Sequence, residues 1–315
     1  MFRGDSVFEH LAGSLSAPDP GASSHWQLQH AAFSYEDGVF TGLQGFGGYQ
    51  RPYSGLRKWV HALLQSRYRR GFGQDSHFAN FDAVAAAITK SQDRAYDLDV
   101  LRQTMTLAWL QHELPTGFFH EGATACVIGD GFASMTSLLE AATDTGTLVL
   151  VNLTRTLMVD LHFLRLWMGP DAFANRVTLV TSPNDIPEPG AAGPDRKIIA
   201  VQAENHELLK RLPADLVINI VSMGEMNPGT TAGYFEDIRA MAEDRPVYFY
   251  CCNRLEKTLP DGTVTRFRDY PWKDDDKVIA DELCPWHQFY YSARFPFYHQ
   301  YDGPVQHRLA LMAAA

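Results

Sequence analysis

Thr124-Ala125-Cys126-Val127-Ile128-Gly129-Asp130-Gly131-Phe132-Ala133-Ser134-Met135 runs from an apolar segment through a turn holding two glycines into a helical pattern. A short, continuously apolar run bounded by turn residues reads as a strand buried on both faces. The glycines permit a tight reversal and let a ligand approach main chain with no side chain in the way. The helix that follows, about Ser134 to Ala142, would aim its free amides at the same spot.

Downstream, strand and helix signals alternate. Thr147–Val151, Val177–Thr181, Lys197–Val201, Asp215–Val221 and Pro246–Cys252 read as strands. Thr154–Trp167 and Thr231–Glu243 read as helices. Such alternation implies βαβ units and a mainly parallel sheet covered on both faces. The end of the chain differs. His287–Phe297, rich in Tyr and Phe, and Val305–Met312, joined through Asp302-Gly303-Pro304, predict an antiparallel pair closing the sheet.

Upstream, helical periodicity dominates. Leu56, Trp59, Val60, Leu63 and Leu64 recur at helical spacing between Tyr53 and Arg70. Further helices are expected over Phe81–Lys90 and from Leu98 to about His112, and residues 11–24, rich in Ser, Ala, Pro and Gly, read as a loop or arm. Phe33, Tyr35, Phe40, Phe46, Tyr49 and Tyr53 crowd a glycine-rich segment, where packing in a small cap is favoured over an aromatic lid. The expected domains are therefore a helical N-terminal cap over 1–120 and an α/β domain over 121–315.

Composition narrows the class. The 315 residues are 45% hydrophobic and 20% charged, enough for a substantial core. A formal charge of −10 disfavours nucleic acid and anionic membranes as partners. No apolar stretch follows the N-terminus and no run is long enough to span a bilayer, which predicts a cytoplasmic protein. Cys126, Cys251, Cys252 and Cys284 show no Cys-x-x-Cys spacing, and three of them sit in strand-like runs as small core residues. Asp274-Asp275-Asp276 reads as a solvated acidic run, so no metal is expected.

The turn itself discriminates between cofactors. A dinucleotide fingerprint, Gly-x-Gly-x-x-Gly, needs a third glycine where this chain has Ser134, and an acid after the second strand where it has Asn152. A nicotinamide cofactor is therefore disfavoured.

Three later segments sharpen the reading. Asp215-Leu216-Val217-Ile218-Asn219-Ile220-Val221-Ser222-Met223-Gly224-Glu225-Met226 occupies the fourth strand. Cys252-Asn253-Arg254-Leu255-Glu256-Lys257-Thr258 follows the fifth, and Tyr270-Pro271-Trp272 comes after it. Over residues 120–312 this series resembles the bacterial sugar O-methyltransferases, a family of class I S-adenosylmethionine-dependent enzymes found with polysaccharide and natural-product clusters. The resemblance implies a Rossmann-like α/β fold with a mostly parallel seven-stranded sheet and a C-terminal antiparallel hairpin. It implies S-adenosyl-L-methionine as cofactor and a sugar or sugar-like small molecule as acceptor. A homodimer is compatible with it. The family has a glycine-richer first loop and an acid after the second strand; here Asp130, Phe132 and Asn152 depart from that pattern.

By position and resemblance, Gly129, Asp130 and Gly131 would face the methionine and ribose, Asn152 and Leu153 the ribose and adenine, and Gln202 and Ala203 the adenine edge. Asn219 and Ser222 would flank the transferred methyl. O-methylation needs an oriented acceptor and a base for the hydroxyl proton. Glu225, at the mouth of the cleft, is the first candidate, and His206 the second. Asn253, Arg254, Glu256 and Lys257 form a polar cluster suited to the acceptor or to a salt-bridged rim. Two other readings stay open: methylation of a non-sugar natural product, and a methyltransferase fold that binds without catalysis.

Overall fold

Successive side chains of the central strands face opposite helical layers, as the two-residue period of extended chain requires. Val127, Leu148, Leu150, Ile218 and Cys252 join one apolar cluster, while Ile128, Val149, Val151, Val217 and Cys251 join the other. The computed structural model describes residues 2–15, 19, 21–29, 33–36, 38–43, 49–186, 197–243 and 245–315.

The sheet strands are β1 (Phe2–Arg3), β2 (Thr124–Ile128), β3 (Thr147–Asn152), β4 (Val177–Val180), β5 (Lys197–Gln202), β6 (Leu216–Ile220), β7 (Tyr248–Arg254), β8 (Lys277–Leu283) and β9 (Val305–Leu311). Their spatial order is β1-β4-β5-β3-β2-β6-β7-β9-β8. The inner run from β4 to β7 is parallel, and β1, β8 and β9 are antiparallel additions. From β2 the chain winds one way to β3 and later the other way to β6 and β7. The reversal opens a crevice beyond the carboxyl ends of β2 and β6, the usual ligand position of doubly wound sheets.

Helices α1 (Ser6–Ser14), α4 (Ser76–Ser91), α5 (Leu98–Glu113), α6 (Ser134–Ala142), α7 (Thr154–Met168) and α8 (Pro170–Arg176) bury their apolar sides in the first cluster. A short α2 (Ser24–Gln29) and α3 (Gly55–Arg69) complete the N-terminal helices. The second face carries α9 (Pro228–Met241) and the 3-10 segment Ala203–Arg211. Fully buried Phe163, Phe173, Phe235 and Phe249 each contribute about 1.5–3 kcal/mol by leaving water. Asp75 and Asp97 start α4 and α5 by accepting amide protons of the first turn.

Several expectations change. The sheet has nine strands rather than seven. β9 does pair antiparallel, but its neighbours are β7 and β8, while Phe289–Tyr291 forms a separate hairpin with Tyr298–Gln300. β8 is an edge strand with mostly exposed side chains and a bulge between Val278 and Ala280, so its sequence shows no clean alternation. Residues 11–14, expected in a loop, end α1. Phe8 stacks on Phe173 and meets Tyr35 and Phe40, so those aromatics pack against the sheet's own helices. Phe46 lies outside the described residues. Among the described residues no helix is long and apolar enough to cross a membrane.

Candidate active site

Backbone strain gathers at the crevice. Gly129 and Gly131 have φ of 72° and 68°, and Phe132, Ala133 and Val221 follow at 61°, 47° and 54°. Positive φ costs a non-glycine residue about 1–3 kcal/mol, most for a β-branched one such as Val221, and such outliers cluster at functional sites. A Cβ on Gly129 would lie 2.0 Å from Ser222 Oγ, so the two loops close on each other only because that side chain is missing. A Cβ on Gly131 would meet nothing within 4 Å.

Asp130 does not reach outward from this turn. Its carboxylate accepts the Met135 and Thr136 amide protons at 2.8 and 2.7 Å, capping α6. Asp160 of α7 buttresses the same turn by accepting from Ala133 N–H (3.0 Å) and from Asn152 Nδ2 (2.8 Å). Burial, and then the neighbouring Asp130, raise the Asp160 carboxyl well above its ordinary value. The Asn152 amide oxygen takes the Leu153 N–H at 3.0 Å, so both ends of that side chain are engaged inside the protein.

Two adjoining chambers follow the crevice, with Trp26, Gly129, Gly131 and Ser222 in the walls of both. The first is a narrow slot of about 60 Å³, walled by Ile128, Val151, Asn152, Leu153, Ala203, Met226 and Tyr234. Gly21, Ala22, Ser23 and Trp26 cross it from the N-terminal segment. This strap is fastened at several points. Asp19 accepts the Thr154 N–H at 3.0 Å, and Ser23 Oγ donates to the Glu225 carbonyl at 2.5 Å. Arg155 of α7 donates to the carbonyls of Leu15 (2.8 Å) and Phe33 (3.5 Å), before and after the strap.

The second chamber, about 260 Å³, is polar. Arg94, Asp97, Asp99, Gln103, Glu225 and His287 stand in its wall beside the rings of Trp26 and Tyr301. Arg94 is buried, lies 4.9 Å over the Phe132 ring and donates to Ser134 Oγ at 2.9 Å. Arg94 Nε and Gln103 Oε1 are buried without a hydrogen-bond partner among the described residues. Burial pushes the Asp97 carboxyl up to about 6, with Asp99 adding to the shift and Arg94 opposing it.

Glu225 joins the chamber wall to a charged group. Lys257 Nζ donates to its Oε1, and His25 Nε2 lies 3.4 Å from its Oε2. Burial holds the His25 imidazole below its ordinary value; Glu225 opposes the shift, and Lys257 and Arg254 reinforce it. Near neutral pH this imidazole is uncharged and can accept a proton.

The other sequence candidates divide. Asn219 donates to the Ile128 carbonyl (2.9 Å) and accepts from Met223 N–H (3.1 Å) and Asn253 Nδ2 (2.8 Å). Asn253 in turn accepts the Gly224 N–H at 2.9 Å. These two wholly buried amides hold the loop that presents Ser222 and Glu225. Gln202 is buried on Thr154 Oγ1 at 3.0 Å. His206 lines neither chamber; its Nδ1 meets the buried Asp237 of α9 at 2.5 Å, which raises its pKa despite burial. Arg254 pairs with Asp302 (3.0 Å) and lies 5.0 Å over the Tyr301 ring, behind the chamber. Glu256 pairs with Arg266 at 2.7 Å on the exposed hairpin Glu256–Thr258/Val264–Arg266. Asp276 is a buried partner of Arg239 (2.7 Å), and Trp272 stacks on Phe249.

His25, Trp26, Arg94, Asp97, Asp99, Gln103 and Asp160 were not visible as site residues. Asp97-Leu98-Asp99 gave the one local signal, a helix start doubled in acid. The rest reach the cleft from distant segments.

No protein-family profile matches the chain, and no curated protein matches it significantly. Solved structures do resemble it at a distance. The methyltransferase domain of bacterial CtHen1 is 14% identical, covering 69% of this chain and 100% of that one, with a TM-score of 0.38. Magnesium protoporphyrin IX methyltransferase from Synechocystis PCC 6803 with bound SAH is 12% identical, covering 82% and 98%, with a TM-score of 0.39. Mitomycin 7-O-methyltransferase is 13% identical, covering 90% and 80%, with a TM-score of 0.36. At these scores the likenesses assign no chemistry to this chain.

Proposed function

We propose that the protein is an S-adenosylmethionine-dependent O-methyltransferase whose acceptor is a hydroxyl of a sugar or sugar-like small molecule. The observation that carries this reading is the joining of an apolar slot to a polar chamber across the strained Gly129–Ala133 turn. The antiparallel β9 inserted beside β7 agrees with the C-terminal antiparallel addition that the sequence resemblance implies.

The residues present suit such a cofactor. Gly131 leaves space beside a backbone held open at positive φ, and Leu153 and Ala203 border a slot of the apolar kind that takes a purine ring. The slot is smaller than the roughly 300 Å³ or more that a ligand of this size needs, so the strap must lift to admit it. Bound there, S-adenosylmethionine would supply an activated methyl group for transfer to an oxygen.

The chain's own groups would do the remaining work. Asp97, Asp99 and Glu225 can accept hydrogen bonds from vicinal hydroxyls, Arg94 and Gln103 hold free polar atoms, and Trp26 and Tyr301 offer ring faces. Glu225 would accept the hydroxyl proton, with Lys257 fixing its orientation and neutral His25 able to take the proton onward. His206, paired with Asp237 away from both chambers, is given a structural role.

Calorimetry with S-adenosylmethionine, S-adenosylhomocysteine and NADH tests the reading. Micromolar binding of the two sulfur compounds, and none of NADH, is expected. Failure of both to bind below millimolar concentration would leave the second reading, a binding protein with this fold, which the strap across the slot favours. With an acceptor in hand, Glu225→Gln should lower kcat about 10²–10⁴-fold at unchanged cofactor Kd. An unchanged kcat removes Glu225 as the base.

A further inference from the structure

Cys252, Cys284 and His287 come together although nothing in the sequence spacing of the cysteines pairs them. One donor atom from each lies within 4.8 Å of the others, and all three residues are buried. Cys252 Sγ is 3.8 Å from His287 Nδ1. Tetrahedral zinc, with Zn–S near 2.3 Å and Zn–N near 2.0 Å, sets its donors about 3.5–3.8 Å apart. Shortening these separations by at most about one ångström would bring the trio to that spacing.

The scaffold is suited to hold the donors still. Cys252 lies in β7, directly opposite His307 of β9. Cys284-Pro285-Trp286-His287 forms a tight turn closed by His287 N–H on the Cys284 carbonyl at 3.1 Å. Cys284 N–H donates to Val305 (2.9 Å), Gln288 Nε2 donates to the Cys284 carbonyl (2.8 Å), and Arg102 Nε donates to the Trp286 carbonyl (3.0 Å). The turn therefore projects a thiol and an imidazole at Cys-x-x-His spacing toward a third ligand from the sheet. Cys251, one residue from Cys252, faces the opposite helical layer, as does Cys126. The adjacent cysteines could not share an ion, but one of each alternating pair can.

We propose that Cys252, Cys284 and His287 bind a zinc ion in the wall of the polar chamber. Two thiolates and an imidazole are a soft, mixed donor set that suits zinc over magnesium or calcium. Three protein ligands leave one position for water or a substrate heteroatom, the pattern of zinc sites that are not purely structural. His287 belongs to the chamber wall, so the ion would border the acceptor. Binding displaces the thiol protons to solvent.

The test reads metal directly and is independent of methyl transfer. The full chain, purified under reducing conditions, is analysed by plasma mass spectrometry, then stripped with chelator and titrated with zinc against a chromogenic competitor. One zinc per chain is expected, retained in Cys126→Ala and lost in Cys252→Ala and Cys284→Ala. Circular dichroism checks that the variants fold. Should they not, the cobalt-loaded wild-type chain decides, because thiolate ligation gives an intense charge-transfer band that oxygen ligands do not. A reduced wild-type chain that takes up no zinc overturns the proposal. So does stoichiometric zinc in both cysteine variants, or cobalt binding without the thiolate band.

Discussion

The two chambers of the cleft differ in what fills them. The slot beside Leu153 and Ala203 is apolar and narrowed by the protein's own Ala22, Ser23 and Trp26 in its wall. The chamber beside Glu225 is larger and lined by Arg94, Asp97 and Asp99; among the described residues Arg94 Nε and Gln103 Oε1 are buried and unpaired there, and Phe132 and Val221 carry strained backbone. Apolar surface can be covered by any apolar side chain, so a strap from the N-terminus serves. Polar surface needs partners of matched geometry, so the unpaired groups around that chamber suit a molecule that would supply them.

The largest expected effect breaks the junction between the chambers. Gly129→Ala places a methyl at 2.0 Å from Ser222 Oγ and at positive φ, so cofactor affinity should fall at least about 100-fold. Gly131→Ala meets only the φ cost and should lose less. Equal losses, measured by calorimetry, would mean that the loop contact with Ser222 is unimportant.

Trp26→Ala tests the slot. If the strap competes with the cofactor, removing its largest side chain should lower the cofactor Kd about 3–10-fold. Weaker binding would make Trp26 part of the wall instead. The smallest effect concerns the chamber. Asp97 has its folded pKa raised to about 6. A raised carboxyl favours the folded state while both states are protonated, and that advantage is lost as pH climbs from about 4 through 6. Asparagine also caps helices well. Asp97→Asn should therefore gain thermal stability relative to wild type as pH rises across that window. A difference that stays flat would show that the carboxyl is not buried in solution.

Much of the fold was readable because β2, β3, β5 and β6 are buried on both faces and punctuated by Gly, Asn and Pro. Their ends agree with expectation to within a residue or two. β1 has too few residues for any pattern, and β8 is an exposed edge, so both were invisible. The site was readable only as a place. Asn219, Asn253, Asn152 and Asp130 look like ligand-binding polar residues at strand ends, yet their hydrogen bonds close on the protein itself. A sequence gives a side chain's type and neighbours, while its partner across the sheet depends on tertiary register. Asp160 and His25 illustrate the converse, since helix interiors and an N-terminal arm carry no local sign that they reach the cleft.

Arg155 gives the strap its last property. Its guanidinium reaches the carbonyls of both Leu15 and Phe33, on either side of the described strap residues Gly21, Ala22, Ser23 and Trp26. A segment tethered on both sides would stay beside the slot even when released from it. If it competes with the cofactor, the strap would act as an intramolecular ligand, at an effective concentration fixed by the tether and untouched by dilution. A molecule using the slot would compete against that constant, and its supply would decide what the protein binds at rest.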